Sequence, residues 1–194
     1  AGRIKTQKPN EPESEGLDRT ELESIKRVFE RLDRKNDGKI DRDEIAQQFD
    51  ILGYKPKRQT DYGTSEVEDM IWEVDEDCDG MIDWENFVQL YVRCRRDKTG
   101  CEPKRLFNLI EFMINDKDGG GTINEDEIME VLYHRYGKDA MQKMTDEVFK
   151  HDRDGDKELD FQDFLAIVNA GMHKQSSEKD KGTGSKRSPA AKKK

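Results

Sequence analysis

The chain has 194 residues, 41% of them charged and 32% hydrophobic, with a net charge of −9. That composition allows one or two small domains with a thin core. It excludes a membrane span by a helix, because no stretch approaches the roughly eighteen consecutive apolar residues that crossing requires. No apolar run follows Ala1 as a secretory leader would, so the expected location is the cytosol or a space continuous with it.

In chain order, residues 1–16 contain Pro9, Pro12 and alternating charge with little to bury, and read as a flexible arm. An N-terminal unit follows at 17–91. Its first apolar stripe is Leu22, Ile25, Val28, Phe29 and Leu32, at helical spacing, and after an acid-rich stretch come Ile45, Phe49 and Leu52. A polar joint, 53–65, leads to Val67, Met70, Ile71 and Val74, a second acid-rich stretch, and Trp84, Phe87, Val88 and Tyr91. Residues 92–104 read as a linker, because Gly100 and Pro103 punctuate what would otherwise be one helix. The unit at 105–171 repeats the scheme with Leu106, Phe107, Ile110 and Met113, then Ile128, Val131 and Leu132. Met144, Val148 and Phe149, then Phe161, Phe164, Leu165 and Val168, complete it. The expected fold is all-α, with eight helices in two lobes.

Four stretches between these helices share one layout. Asp33, Asp75, Asp116 and Asp152 each open a turn-prone acidic segment with Ile40, Ile82, Ile123 or Leu159 seven positions on. A twelve-residue loop of this kind surrounds a hard divalent cation with oxygens from positions 1, 3, 5, 7, 9 and 12, the seventh a backbone carbonyl and the twelfth a two-oxygen carboxylate. Position 6 turns sharply, and the aliphatic eighth residue suits a short two-stranded contact between paired loops. Aspartates at alternate positions repel one another unless a cation neutralises them.

The departures from that template rank the loops. The third supplies Asp116, Asp118, the backbone of Thr122, Asn124 and Glu127, lacking only a ligand at Gly120. The fourth supplies Asp152, Asp154, Asp156, the backbone of Glu158, Asp160 and Asp163. There Lys157 takes the place of the turn glycine, and the short Asp163 favours a six-coordinate site that also accepts magnesium. Weaker candidates are Asp75, Asp77, Asp79, the backbone of Met81 and Asp83 in the second loop, which ends in the neutral Asn86. In the first they are Asp33, Asp37, the backbone of Lys39, Asp41 and Glu44, with Lys35 at the third ligand position.

With these residues in view, the paired helix–loop–helix units resemble the EF-hand superfamily of calmodulin and troponin C, and EVEDMIWEVDEDCDGMIDWENF is similar to a second calmodulin hand. Within that superfamily, EDMIWEVDEDCDG, CRRDKTGCEPKRLFN, FMINDKDGGGTI and RYG together resemble EF-hand subunits of axonemal complexes, notably the one that helps dock outer dynein arms on doublet microtubules. The resemblance implies four EF-hands in two lobes, calcium as the ligand, a light-chain-like role on the cytoskeleton or ciliary axoneme, and a partner helix in the groove of the second lobe. Met113, Met129, Met141 and Met144 fall in that lobe and suit either such a groove or an ordinary core.

Residues 172–194 carry a net charge of +6, leaving −15 on 1–171, and read as a disordered basic tail or a contact for acidic surfaces. Two alternatives therefore stand beside the adaptor: a cytosolic calcium buffer, and a regulator that reaches nucleic acid or chromatin through the tail. Cys78, Cys94 and Cys101 lack zinc-site spacing and read as free thiols, with a Cys94–Cys101 disulfide as the other reading. His134, His151 and His173 are isolated, with no nucleophile–base pair or phosphate cradle, so catalysis is not expected.

Overall fold

Helices form where an apolar stripe coincides with a side chain able to satisfy the free N–H groups of a first turn. Asp18 accepts from the Glu21 N–H at 2.8 Å while Glu21 returns to the Asp18 N–H, opening α1 (Arg19–Leu32), which buries Ile25, Val28, Phe29 and Leu32. The same reciprocal cap, Asp41 with Glu44, opens α2 (Arg42–Ile51) directly after the two-residue strand β1 (Lys39–Ile40). Ser65 and Glu68 cap α3 (Glu66–Trp72), and β2 (Ile82–Asp83) leads into α4 (Trp84–Arg96). The second half repeats the order with α5 (Arg105–Asn115), β3 (Ile123–Asn124), α6 (Glu125–Tyr136), β4 (Glu158–Leu159) and helical residues 161–169.

The computed structural model describes residues 16–61, 63–97, 99–136, 145, 148–152 and 155–169. The expected arm, apart from Gly16, and the basic tail lie outside them, as do Met141, Met144, Asp154 and His173. The helix expected before the fourth loop is described only in part, with Thr145 and Val148 helical and Phe149–His151 in a 3-10 turn.

Strand pairing joins the loops in twos. β1 runs antiparallel to β2 with Ile40 opposite Ile82, and β3 runs antiparallel to β4 with Ile123 opposite Leu159. All four aliphatic residues are fully buried, so the eighth position of each loop is where its backbone is anchored to the core.

The two lobes share that core. Phe161 sits 5.8 Å from Phe49 and 5.3 Å from both Tyr54 and Phe112, ring centroid to ring centroid, so one aromatic ring joins both halves. α1 packs along α5, and α4 also touches it. The connection between lobes is shorter than residues 92–104: α4 continues to Arg96, with Cys94 buried and Val92 packed on the core, and the break occupies 97–104. Asp97 organises that break by accepting from the N–H groups of Thr99 (2.8 Å), Gly100 (2.9 Å) and Glu102 (3.1 Å). Those bonds, the Thr99 hydroxyl first, hold its carboxyl well below the ordinary range.

Candidate metal centre

At their described positions all four loops share one backbone course, because two positions turn left-handed. Position 6 does so at Gly38 (φ 84°), Gly80 (84°) and Gly121 (87°), and also at Lys157 (65°), where a side chain is strained. Position 4 does so too, at Asn36, Cys78, Gly119 and Gly155. With the chain curled this way, the opening aspartate accepts backbone N–H groups from within its own loop. Asp33 receives Asp37 and Gly38, Asp75 receives Asp79 and Gly80, Asp116 receives Gly119 and Gly121, and Asp152 receives Gly155 and Lys157.

Ligand positions 9 and 12 have a second duty. Asp41, Asp83, Asn124 and Asp160 stand immediately before the exiting helices and accept the N–H three residues on. In the first and third loops the closing glutamate also reaches back over the loop. Glu44 takes the N–H groups of Lys35 (3.0 Å) and Asp41 (2.9 Å), while Glu127 takes those of Lys117 (2.8 Å), Asp118 (3.3 Å) and Asn124 (3.0 Å). The capping box D-x-x-E was present in the sequence of the first loop, but reading its members only as ligands missed their structural half.

The third loop concentrates charge most tightly. Asp116, Asp118 and Glu127 place carboxylate oxygens within 4.8 Å of one another, with Asp116 fully buried and Glu127 nearly so. Three carboxylates this close, two withdrawn from water, suit a divalent cation held by hard oxygen donors. Thr122 and Asn124 lie on the same loop, the Thr122 hydroxyl bonding Glu158 across to the fourth loop at 2.8 Å.

The second loop brings Asp75, Asp77 and Asp79 equally close, but none of them is buried: Asp75 is half-buried and Asp77 and Asp79 are exposed. Asp77 is pushed above the ordinary carboxylate range, first by its hydrogen bond to Asp75, then by burial and the Asp79 charge. Asp79 also receives the ammonium of Lys39 from the first loop, and Met81 follows it with its N–H on the Asp79 carboxylate. In the first loop Lys35 bonds Asp41, raising the lysine and lowering the aspartate. Tethered ammonium groups thus already neutralise part of the acid in both N-terminal loops. In the fourth, Asp163 is buried and Asp152, Asp156, Glu158 and Asp160 lie on the described loop, with the Glu158 N–H on Asp156.

Beside these loops, a cavity of about 1000 Å³ opens between the lobes. Phe107, Ile114, Ile128, Phe164 and Ile167 line it, with Glu21, Glu111 and Glu130 also on its wall. Met113 is instead fully buried in the core, and Met129 is half-buried.

Comparison with known proteins agrees with this geometry. A family described as an EF-hand domain pair matches residues 22–92. The chain is 31% identical over 159 residues to probable calcium-binding protein CML17 of Oryza sativa subsp. japonica, spanning 76% of this chain and 92% of that protein. With troponin C, isoform 1, of Balanus nubilus it shares 25% identity over 157 residues, 80% of this chain and 94% of the other. Calcium-dependent protein kinase 16 of Oryza sativa subsp. japonica is 28% identical over 80% of this chain, yet the match takes in only 26% of the kinase. Of these three relatives, the two spanned over nearly their whole length carry names that state no enzymatic activity.

Proposed function

This chain belongs to the EF-hand family, and on that footing we propose that it is a calcium-binding adaptor whose third loop is the principal ion site. The observation that carries this reading is the approach of Asp116, Asp118 and Glu127 to within 4.8 Å, two of them buried, on a loop whose backbone is already curled to present them. Asp116, Asp118, the carbonyl of Thr122, Asn124 and Glu127 would hold the ion. Bound calcium supplies the divalent charge that offsets their mutual repulsion. Asp152, Asp154, Asp156, the carbonyl of Glu158, Asp160 and Asp163 form the second site, which takes calcium or magnesium.

Adaptor function rests on the cavity between the lobes. Its apolar lining suits the apolar face of an amphipathic helix presented by a larger protein, while Glu21 and Glu130 on its wall are already paired with Arg95 and Lys117. The likeness of the EDMIWEVDEDCDG and FMINDKDGGGTI segments to axonemal subunits supports a light-chain-like place on the cytoskeleton, within the dynein-docking assembly of a ciliary axoneme. A pure calcium buffer fits less well, because Lys35 and Lys39 already pair with carboxylates of the first two loops.

Fluorescence of an apolar dye on the full chain tests the reading. Calcium should enhance dye binding to the wild-type protein and leave Glu127→Gln largely unresponsive. An equal response from both proteins would remove the third loop from the account.

A further inference from the structure

Arg27 and Arg31 lie four residues apart on α1, hence on one face, and both reach across to the C-terminal end of α5. Arg27 Nη2 donates to the Ile114 carbonyl at 2.9 Å, and Arg31 Nη1 donates to the Asp116 carbonyl at 2.9 Å. The last carbonyls of a helix lack intrahelical partners and carry partial negative charge, so two guanidinium groups satisfy them well. Arg31 does one thing more. Its Nη2 donates to Asp116 Oδ2 at 3.1 Å, and its guanidinium lies beside Gly119, where an added Cβ would stand 3.5 Å from Nη2. A cation from the first lobe therefore rests on the opening carboxylate of the third loop. Asp116 is fully buried, so solvent screens this pair weakly.

We propose that Arg31 lowers the third loop's affinity for a divalent cation, and that with Arg27 it forms an interlobe catch which ion loading releases. This rests on the third loop being an ion site, as proposed above. The sign follows from charge: the guanidinium takes up part of the electron density Asp116 offers and repels a second cation entering the loop. Linkage makes the effect reciprocal, so an ion in the loop weakens the bond between Arg31 and Asp116 by the same factor. The closed contact also has an internal cost, since Arg27 Nε is buried without an acceptor among the described residues. α1 and α4 wall the cavity between the lobes through Glu21, Ser24, Tyr91 and Arg95, so releasing α1 from α5 widens the same cavity that would take a partner helix.

Calorimetric titration of the full chain with calcium tests this. Arg31→Gln should tighten the third-loop site about tenfold, the gain vanishing when Glu127→Gln is added. Arg31→Lys, which keeps the charge, should stay within about threefold of wild type. Arg27→Gln leaves Asp116 untouched, so it serves if Arg31→Gln fails to fold: small-angle scattering should show the metal-free variant already expanded toward the size wild type reaches with calcium. Wild-type uptake combined with unchanged or weaker binding by Arg31→Gln overturns the catch alone, as does an Arg27→Gln protein no larger than wild type. No uptake by wild type overturns both this inference and the ion site on which it rests.

Discussion

Lys35 bonds Asp41 across the first loop, third ligand position to ninth, so a side chain supplies positive charge inside a cage otherwise laid out for an ion. The remaining parts of that cage are present: Asp33 and Glu44 hold the loop backbone as Asp116 and Glu127 hold theirs. Lys35→Asp should therefore add one ion to the binding stoichiometry. In chelator the variant should melt slightly lower, having lost a weak exposed pair and gained like-charge repulsion. In calcium at about 100 times the dissociation constant it should recover about 2.7 kcal/mol. Equal stoichiometry in dialysis would show that the loop is closed for another reason.

Phe161 has aromatic neighbours from both lobes, Phe49 and Tyr54 on one side and Phe112 on the other. Phe161→Ala should destabilise the protein by about 3–5 kcal/mol through lost burial and the cavity left behind. It should also divide a single denaturation into two, because the lobes lose their common aromatic contact. Chemical unfolding followed by Trp fluorescence and circular dichroism checks both. A single unshifted transition would mean the lobes are coupled elsewhere.

Lys157 holds φ at 65° in the fourth loop, where the other three loops use glycine at +84° to +87°. Lys157→Gly should relieve roughly 1 kcal/mol of backbone strain. The lost exposed pair with Glu125, 2.9 Å long, offsets only part of that. A raised melting temperature and tighter ion binding by the fourth loop are expected. A lower melting temperature would show that the ion pair outweighs the strain.

Cys94 is buried, donates to the Pro103 carbonyl, and is pushed up to about 11 by burial, while Cys78 and Cys101 are exposed. Thiol reagents act on the thiolate. At pH 8 two thiols should react quickly and the third only as the protein opens. A thiol raised in the folded state favours folding below its unfolded value near 8.5, and that contribution disappears as pH climbs toward 11. Labelling of the third thiol should accelerate, and stability fall, across that window. Three equally fast thiols at pH 8 would contradict the burial of Cys94.

Loops were the most legible part of this chain, because each keeps its ligand oxygens within twelve consecutive residues and fixes its register by one aliphatic position. Ile40, Ile82, Ile123 and Leu159 mark where the strands pair, and Lys157 at position 6 already foretold a strained turn. What crosses the chain was not legible. Arg31 and Asp116 are 85 residues apart, and nothing in an arginine on an exposed helix face names its partner. Tyr54, within a polar joint, gave no hint that it would pack on Phe161. The end of α4 was misplaced because Gly100 and Pro103 announce a break without saying how close to them the helix runs, and the charged CRRDK run concealed the buried Cys94.

Equilibrium dialysis with radioactive calcium, comparing the full chain with Glu127→Gln, addresses the central claim most directly. Wild-type protein should take up calcium, and the variant should lose its tightest site or bind there at least about tenfold more weakly. Identical uptake by the two proteins, or none by wild type at millimolar calcium, would contradict the claim that the loop from Asp116 to Glu127 is the principal ion site.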